Sequence, residues 1–152
     1  MKAKPKKKKI KLGVAKKKAW EALSKVVRYA NSDGEYASCV TCGITKPWKE
    51  LQTGHFIPKA QGNAIYFALE NCNPQCYRCN INLGGNGAEY YPYMLRAYGE
   101  EIIKRLKVAQ QMTVNYRVND YLAIAEHYTN EFNRISDLRS QGRTGVIQIV
   151  SY

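Results

Sequence analysis

Cys39-Val-Thr-Cys42-Gly43 and Cys76-Tyr-Arg-Cys79-Asn80 decide how this chain folds: they are two CxxC pairs with 33 residues between them. Each pair lets a tight turn aim two thiolates at one ion, and two such turns complete a tetrahedral four-cysteine site of the kind that holds structural Zn2+. A redox CxxC needs only one motif, set beside a βαβ pattern, and no such pattern flanks either pair. Four thiolates saturate zinc and leave no open position, so the expected metal holds the fold and any catalysis falls to other groups. The fifth cysteine, Cys72, reads as a small buried apolar residue, because Cys76 and Cys79 already form the better-spaced pair.

Outside these stretches the chain is strongly polarised in charge. It has 152 residues, enough for one compact core with loose ends. The formal charge is +12, yet ten lysines and no acid fall in the first eighteen residues, which leaves the rest near +2. Residues 1–14 are low-complexity and self-repelling, and are expected to form a disordered basic arm until they meet a polyanion. Within the arm, Lys6, Lys7, Lys8 and Lys9 suit sequence-independent phosphate neutralisation; a nuclear-import signal and a solubilising tail are the competing uses. No stretch approaches the roughly 18–20 apolar residues that span a bilayer, and the lysine-rich start runs into no signal-peptide core. A soluble, cytoplasmic protein with no membrane partner is expected, its cysteines reduced.

Residues 15–135 are expected to form the folded domain and 136–152 a tail or arm. Trp20, Leu23, Val26, Val27 and Ala30 recur at helical spacing and Asn31-Ser32-Asp33-Gly34 closes that helix. The stretch 36–80 is dense in Cys, Gly, Asn and Pro, with apolar pieces (Trp48 to Phe56, Ile65 to Cys72) that suit a small hairpin. Tyr90 to Tyr98 reads as a short helix with Pro92 in its first turn and Gly99 as its stop, and Glu100 to Ala109 continues helically. Val118, Tyr121, Leu122, Ala125, Tyr128, Phe132 and Ile135 mark one face of a longer helix. The helices over 100–135 suit either packing within the chain or a homodimer. Val146 to Val150 reads as a strand or an arm.

Between the CxxC pairs lie Gly54-His55-Phe56 and Asn71-Cys72-Asn73-Pro74-Gln75-Cys76. A histidine about a dozen residues after the first pair, an asparagine five before the second, and an asparagine directly after it resemble the ββα-metal (HNH) nuclease motif. The order is also similar to phage endonuclease VII, a resolvase of branched DNA. More closely, Cys39-Val-Thr-Cys42-Gly43, Gly54-His55-Phe56, Gln75-Cys76-Tyr77-Arg78-Cys79-Asn80, Gly85-Asn86 and the Tyr91-to-Gly99 segment resemble the lambdoid-phage NinG/Rap recombination endonuclease family. The resemblance covers about residues 15–110.

It implies an α+β fold with a small zinc-stabilised ββα-metal core and flanking helices, in a phage protein acting in the host cytoplasm. It also implies a structure-selective endonuclease that hydrolyses phosphodiester bonds in branched or recombining DNA. His55 is then the general base, a task that neutral imidazole suits at physiological pH. Asn71 orients the imidazole or fastens the loop that carries it; a plain turn residue is the competing reading. Asn80 is the candidate oxygen ligand for a catalytic Mg2+ or Mn2+, with a helix cap as its alternative. Lys59 and Arg78 are either phosphate contacts or solvated surface charges. Tyr90, Tyr91, Tyr93 and Tyr98 suit helix packing better than base stacking. Two positions depart from the pattern: Gly54 stands where HNH enzymes often carry a metal-binding Asp or His, and Gln52 where NinG-like chains tend to carry an acid. Glu50, Glu89, Asn82 and Asn86 are the nearby replacements. A non-catalytic, zinc-stabilised, basic nucleic-acid-binding protein accounts for the arm and the cysteines alone, and is the alternative.

Overall fold

The computed structural model describes residues 9–152, so Lys6, Lys7 and Lys8 lie outside the described residues; Lys9 is exposed. Helix α1 spans Leu12–Ala30, three residues earlier than the change of pattern at Ala15, so the end of the expected arm is helical. Its buried residues are Ala15, Ala19, Leu23, Val26, Val27 and Ala30, an i, i+4 stripe that faces the core while lysines face water. Asn31 ends it, its side chain donating to Val27 O at 2.8 Å.

Two small antiparallel sheets follow. Strands β1 (Tyr36–Ser38) and β2 (Thr45–Pro47) pair with Tyr36 opposite Pro47 and close around the first CxxC turn. Gly43 there adopts φ +75°, a conformation that favours glycine. Strands β3 (Gln52–His55) and β4 (Cys72–Gln75) pair with Gln52 opposite Gln75 and His55 opposite Cys72. This hairpin is shorter and later than the apolar runs imply. Trp48–Glu50 is instead a 3-10 turn, and Ile65 is buried under the helices that follow, so packing of the long loop overrides strand pairing there.

The chain then makes a π-helical turn over Arg78–Asn82, closed by Leu83 N–H to Arg78 O at 2.9 Å. Helix α2 (Gly87–Tyr98) starts before Tyr90, so Pro92 lies inside it, contrary to the expected first-turn position. Gly99 stops it with φ +81°, and α3 (Glu100–Gln110) follows. Tyr90, Met94, Ile103 and Leu106 pack there on Ile57 and Ile65.

Helix α4 (Val118–Ser140) lies against α1, burying Tyr121, Ile124, Tyr128 and Ile135 in the main core. The face offered by sequence to a second copy is thus used, along α4, within the chain. The segment 146–150 joins no strand among the described residues; Ile147 is buried and its N–H donates to Ala30 O. Among the described residues no helix is long and apolar enough to cross a membrane.

Candidate functional site

The two CxxC turns meet. The sulfurs of Cys39, Cys42, Cys76 and Cys79 all lie within 4.8 Å of one another, and Cys42 Sγ is 3.7 Å from Cys76 Sγ. Sulfurs about 2.3 Å from a central tetrahedral ion lie about 3.8 Å apart, so the arrangement can hold one metal ion. The turns prepare it: Gly43 N–H donates to Cys39 O and Asn80 N–H to Cys76 O, each at 2.9 Å. Burial raises the Cys39 thiol, but hydrogen bonds from Thr41 Oγ1 and from the backbone N–H groups of Cys76, Cys42 and Thr41 outweigh it and bring it to about 6. Burial and the neighbouring sulfurs push Cys42 up to about 12, and burial raises Cys76. Thiols this crowded cannot all ionise without a cation among them. Cys72 stands apart, fully buried against the main core with its pKa raised by desolvation.

Beside this clasp runs an open cleft of about 600 Å3 whose lining includes Gln52, Thr53, His55, Lys59 and Asn80. One wall is α1, and its register explains the cleft. Trp20 stacks on the His55 ring at 4.7 Å and 17°, Ser24 Oγ donates to Thr53 Oγ1 at 3.0 Å, and Arg28 Nη1 donates to Leu51 O at 3.0 Å. Every fourth helix residue thus meets every second residue of the strand. Four helix residues rise about 6 Å and two strand residues about 6.6 Å, so the two ladders stay in step over three contacts.

His55 sits at the end of β3, half-buried. Its Nε2 lies 2.9 Å from Tyr66 O, a carbonyl that can only accept, so Nε2 carries the proton and Nδ1 keeps its lone pair. Burial lowers its pKa from the ordinary histidine value, the Tyr66 carbonyl opposes this, and the charge of Lys59 lowers it further. The imidazole is therefore neutral, stacked and held in one tautomer.

Asn80 is in the same cleft; its Nδ2 donates to Gln52 Oε1 at 2.8 Å, and Oδ1 receives no hydrogen bond among the described residues. Asn71 is not in the cleft. It is fully buried, accepts from Ile57 N–H at 2.8 Å and donates to Ile57 O and Ile65 O, so it fastens the loop after His55 and does not touch the ring. Of the two roles the sequence offers for Asn71, orienting the imidazole or fastening the loop that carries it, these contacts are those of the second. Lys59 lines the cleft, whereas Arg78 is exposed and does not. Tyr90 is buried, and the hydroxyls of Tyr93 and Tyr98 both donate to Asn73 Oδ1, which makes them packing residues.

The departure at 54 acquires a physical reason. A Cβ on Gly54 would fall 1.8 Å from Gln75 Oε1 and 3.1 Å from Asn80 Oδ1. Gln75 is fully buried, its Nε2 donating to Thr41 Oγ1 and Gly85 O while Oε1 has no partner among the described residues. Its carboxamide fills the space a larger residue 54 requires. No carboxylate lines the cleft among the described residues, and of the replacements weighed from sequence Glu50 and Glu89 are exposed elsewhere, while Asn86 Nδ2 points at Cys79 Sγ, 3.5 Å away. Trp20, Ser24, Arg28 and Gln75 are site residues that sequence reasoning missed. The i, i+4 spacing of the first three is visible in the chain, but nothing there says which strand they meet.

A four-thiol cluster supporting a hairpin, with a histidine in an adjoining cleft free of acids among the described residues, defines a small mixed α/β protein whose four cysteines can hold a metal ion. The sequence model of the bacteriophage lambda NinG protein family matches residues 1–137, and the chain belongs to that family. No curated protein and no solved structure matches it.

Proposed function

We propose that the chain is a metal-dependent endonuclease of the ββα-metal (HNH) type, similar in plan to phage endonuclease VII, acting on branched or recombining DNA. The observation that carries this reading is the placement of His55: a tautomer fixed by Tyr66 O, a lone pair on Nδ1, and Asn80 and Lys59 in the same cleft. The strand pair 52–55 and 72–75, followed by the helical turn that bears Asn80, supports the ββα assignment. The four thiolates suit Zn2+ as a structural ion.

In this reading Nδ1 of His55 takes the proton from the attacking water, and Trp20 and Tyr66 O keep the ring from turning away. Lys59 contributes positive charge beside the phosphate. Asn80 Oδ1, fixed by Gln52, is the residue that would hold Mg2+ or Mn2+. A divalent cation bound there supplies charge stabilisation at the phosphate and leaving oxygen. Neutral amide oxygens bind a hard cation more weakly than carboxylates do, so the substrate phosphate completes the site. Paired cuts on two strands of a junction call for two copies of the chain.

The test is cleavage of labelled four-way junction and linear duplex DNA in Mg2+ or Mn2+ by wild type and His55→Ala, with zinc content and thermal unfolding measured for both. Loss of nicking with zinc and fold retained supports the base assignment; equal cutting by the alanine variant refutes it. The acid-free cleft favours one other reading, a zinc-stabilised nucleic-acid binder without catalysis. Binding without cleavage by the wild type across several divalent ions establishes that alternative.

A further inference from the structure

The cleft contains a cation that no acid among the described residues neutralises. Arg28 is half-buried, its Nε donates to Ser24 O at 3.0 Å, and Nη1 donates to Leu51 O at 3.0 Å and to Lys49 O at 3.5 Å. The guanidinium carbon lies 5.7 Å from the Trp48 ring centre, which limits its swing. Nη2 has no acceptor among the described residues, and their ion pairs, Lys17–Glu21, Lys104–Glu100 and Arg134–Glu131, leave Arg28 out. Surface arginines without partners are ordinary because water solvates them. A half-buried one, held by backbone carbonyls that carry no net charge, keeps a full positive charge that it cannot lose and that water reaches only in part. Burial lowers the pKa of this group, the direction expected of a cation short of solvent and of counter-charge.

We propose that Arg28 binds a backbone phosphate of nucleic acid at the far end of the cleft, several nucleotides from the phosphate that His55 addresses. The spacing follows from the helix and strand register. Trp20, stacked on His55, and Arg28 are eight residues apart, about 12 Å along α1. That is the axial rise of three to four stacked nucleotides of a duplex strand. Arg28 thus acts in binding and register, not on the reacting phosphate. The inference rests on reading the cleft as a nucleic-acid site, but not on cleavage.

The test measures binding of a fluorescein-labelled 20-base-pair duplex by anisotropy, without divalent ions, over a range of salt concentrations. It compares wild type, Arg28→Gln, Arg28→Lys and Arg143→Gln, the last removing an exposed charge that does not line the cleft. Arg28→Gln is expected to weaken binding about tenfold and to reduce the slope of log K against log salt by about 0.9, the value for one phosphate contact. Arg28→Lys should keep most of the slope while losing part of the affinity, and Arg143→Gln should match wild type. Thermal unfolding checks that each variant is folded; if Arg28→Gln is not, the lysine variant alone decides, since lysine keeps the charge but not the fork held on two carbonyls. An unchanged slope and affinity in Arg28→Gln, equal losses in Arg28→Gln and Arg143→Gln, or a wild-type affinity in a folded Arg28→Lys if only that variant folds, overturns the proposal. Single-turnover cleavage at saturating junction adds a separate readout: a normal rate in Arg28→Gln places the contact away from the reacting phosphate, and a rate loss as large as that of His55→Ala refutes the spacing. If wild type binds but does not cut, the enzyme reading fails and the Arg28 contact still stands or falls on the salt slope.

Discussion

Gly54→Ala adds one carbon at the point where the amides of Gln75 and Asn80 converge. Residue 54 sits in ordinary strand backbone, so alanine meets no backbone strain, and the whole effect comes from space. The new Cβ falls 1.8 Å from Gln75 Oε1 and 2.7 Å from its Cδ. Gln75 can yield only by releasing Nε2 from Thr41 Oγ1, at 3.2 Å, and from Gly85 O, at 2.9 Å, inside a fully buried site. Overpacking costs about 1–3 kcal/mol and each of the two buried hydrogen bonds lost about 1 kcal/mol, so a total of about 3–5 kcal/mol is expected. For a chain of this size that lowers the melting temperature by roughly 6–20 °C. In a Gln75→Ala background the space is already open, and the same Gly54→Ala change should cost under about 1 kcal/mol, a coupling of about 2–4 kcal/mol. Urea unfolding of the four metal-loaded proteins measures this cycle. Equal costs of Gly54→Ala in both backgrounds would refute the claim that Gln75 excludes a side chain at residue 54.

Cys39→Ser should abolish stoichiometric zinc and lower stability by several kcal/mol, because ligand binding is part of the folding free energy; elemental analysis and thermal unfolding check it. Burial holds the His55 pKa below its ordinary value, so the unfolded chain takes up its proton first as pH falls. The folding free energy should be level above about pH 6.5 and decline as pH drops from there through the lower folded value. A His55→Gln series of urea midpoints between pH 5 and 8 should lack that decline, and identical slopes in both proteins would count against a neutral ring held below its ordinary pKa. Ile147→Ala should cost about 2–4 kcal/mol in urea unfolding, since Ile147 is buried in the main core although it lies in a segment without regular structure.

The helices α1, α3 and α4 were legible because their apolar residues repeat at the helical period and bury one stripe each. The clasp was legible for a different reason. Cysteine pairs at two-residue spacing carry their chemistry with them, wherever the intervening chain goes. Strand limits were harder to read, because β4 is Cys-Asn-Pro-Gln, a sequence with little strand character that pairs only because the clasp and the Asn71 loop bring it beside β3. Pro92 also misled: a proline favoured in the first turn lies inside α2, whose start is set by Asn86 in the left-handed region at φ +51°.

Sequence by itself thus determined the four-thiol clasp, the amphipathic helices and the placement of His55 between the two CxxC turns, since local spacing and residue chemistry suffice for each. Tertiary structure alone decided that α1 lies in step with β3, that Asn71 serves a loop and not the ring, and that Gln75 excludes a carboxylate beside His55. These depend on contacts between residues 14 to 35 positions apart, and a contact of that kind is set by the packing of whole elements, which no local spacing encodes.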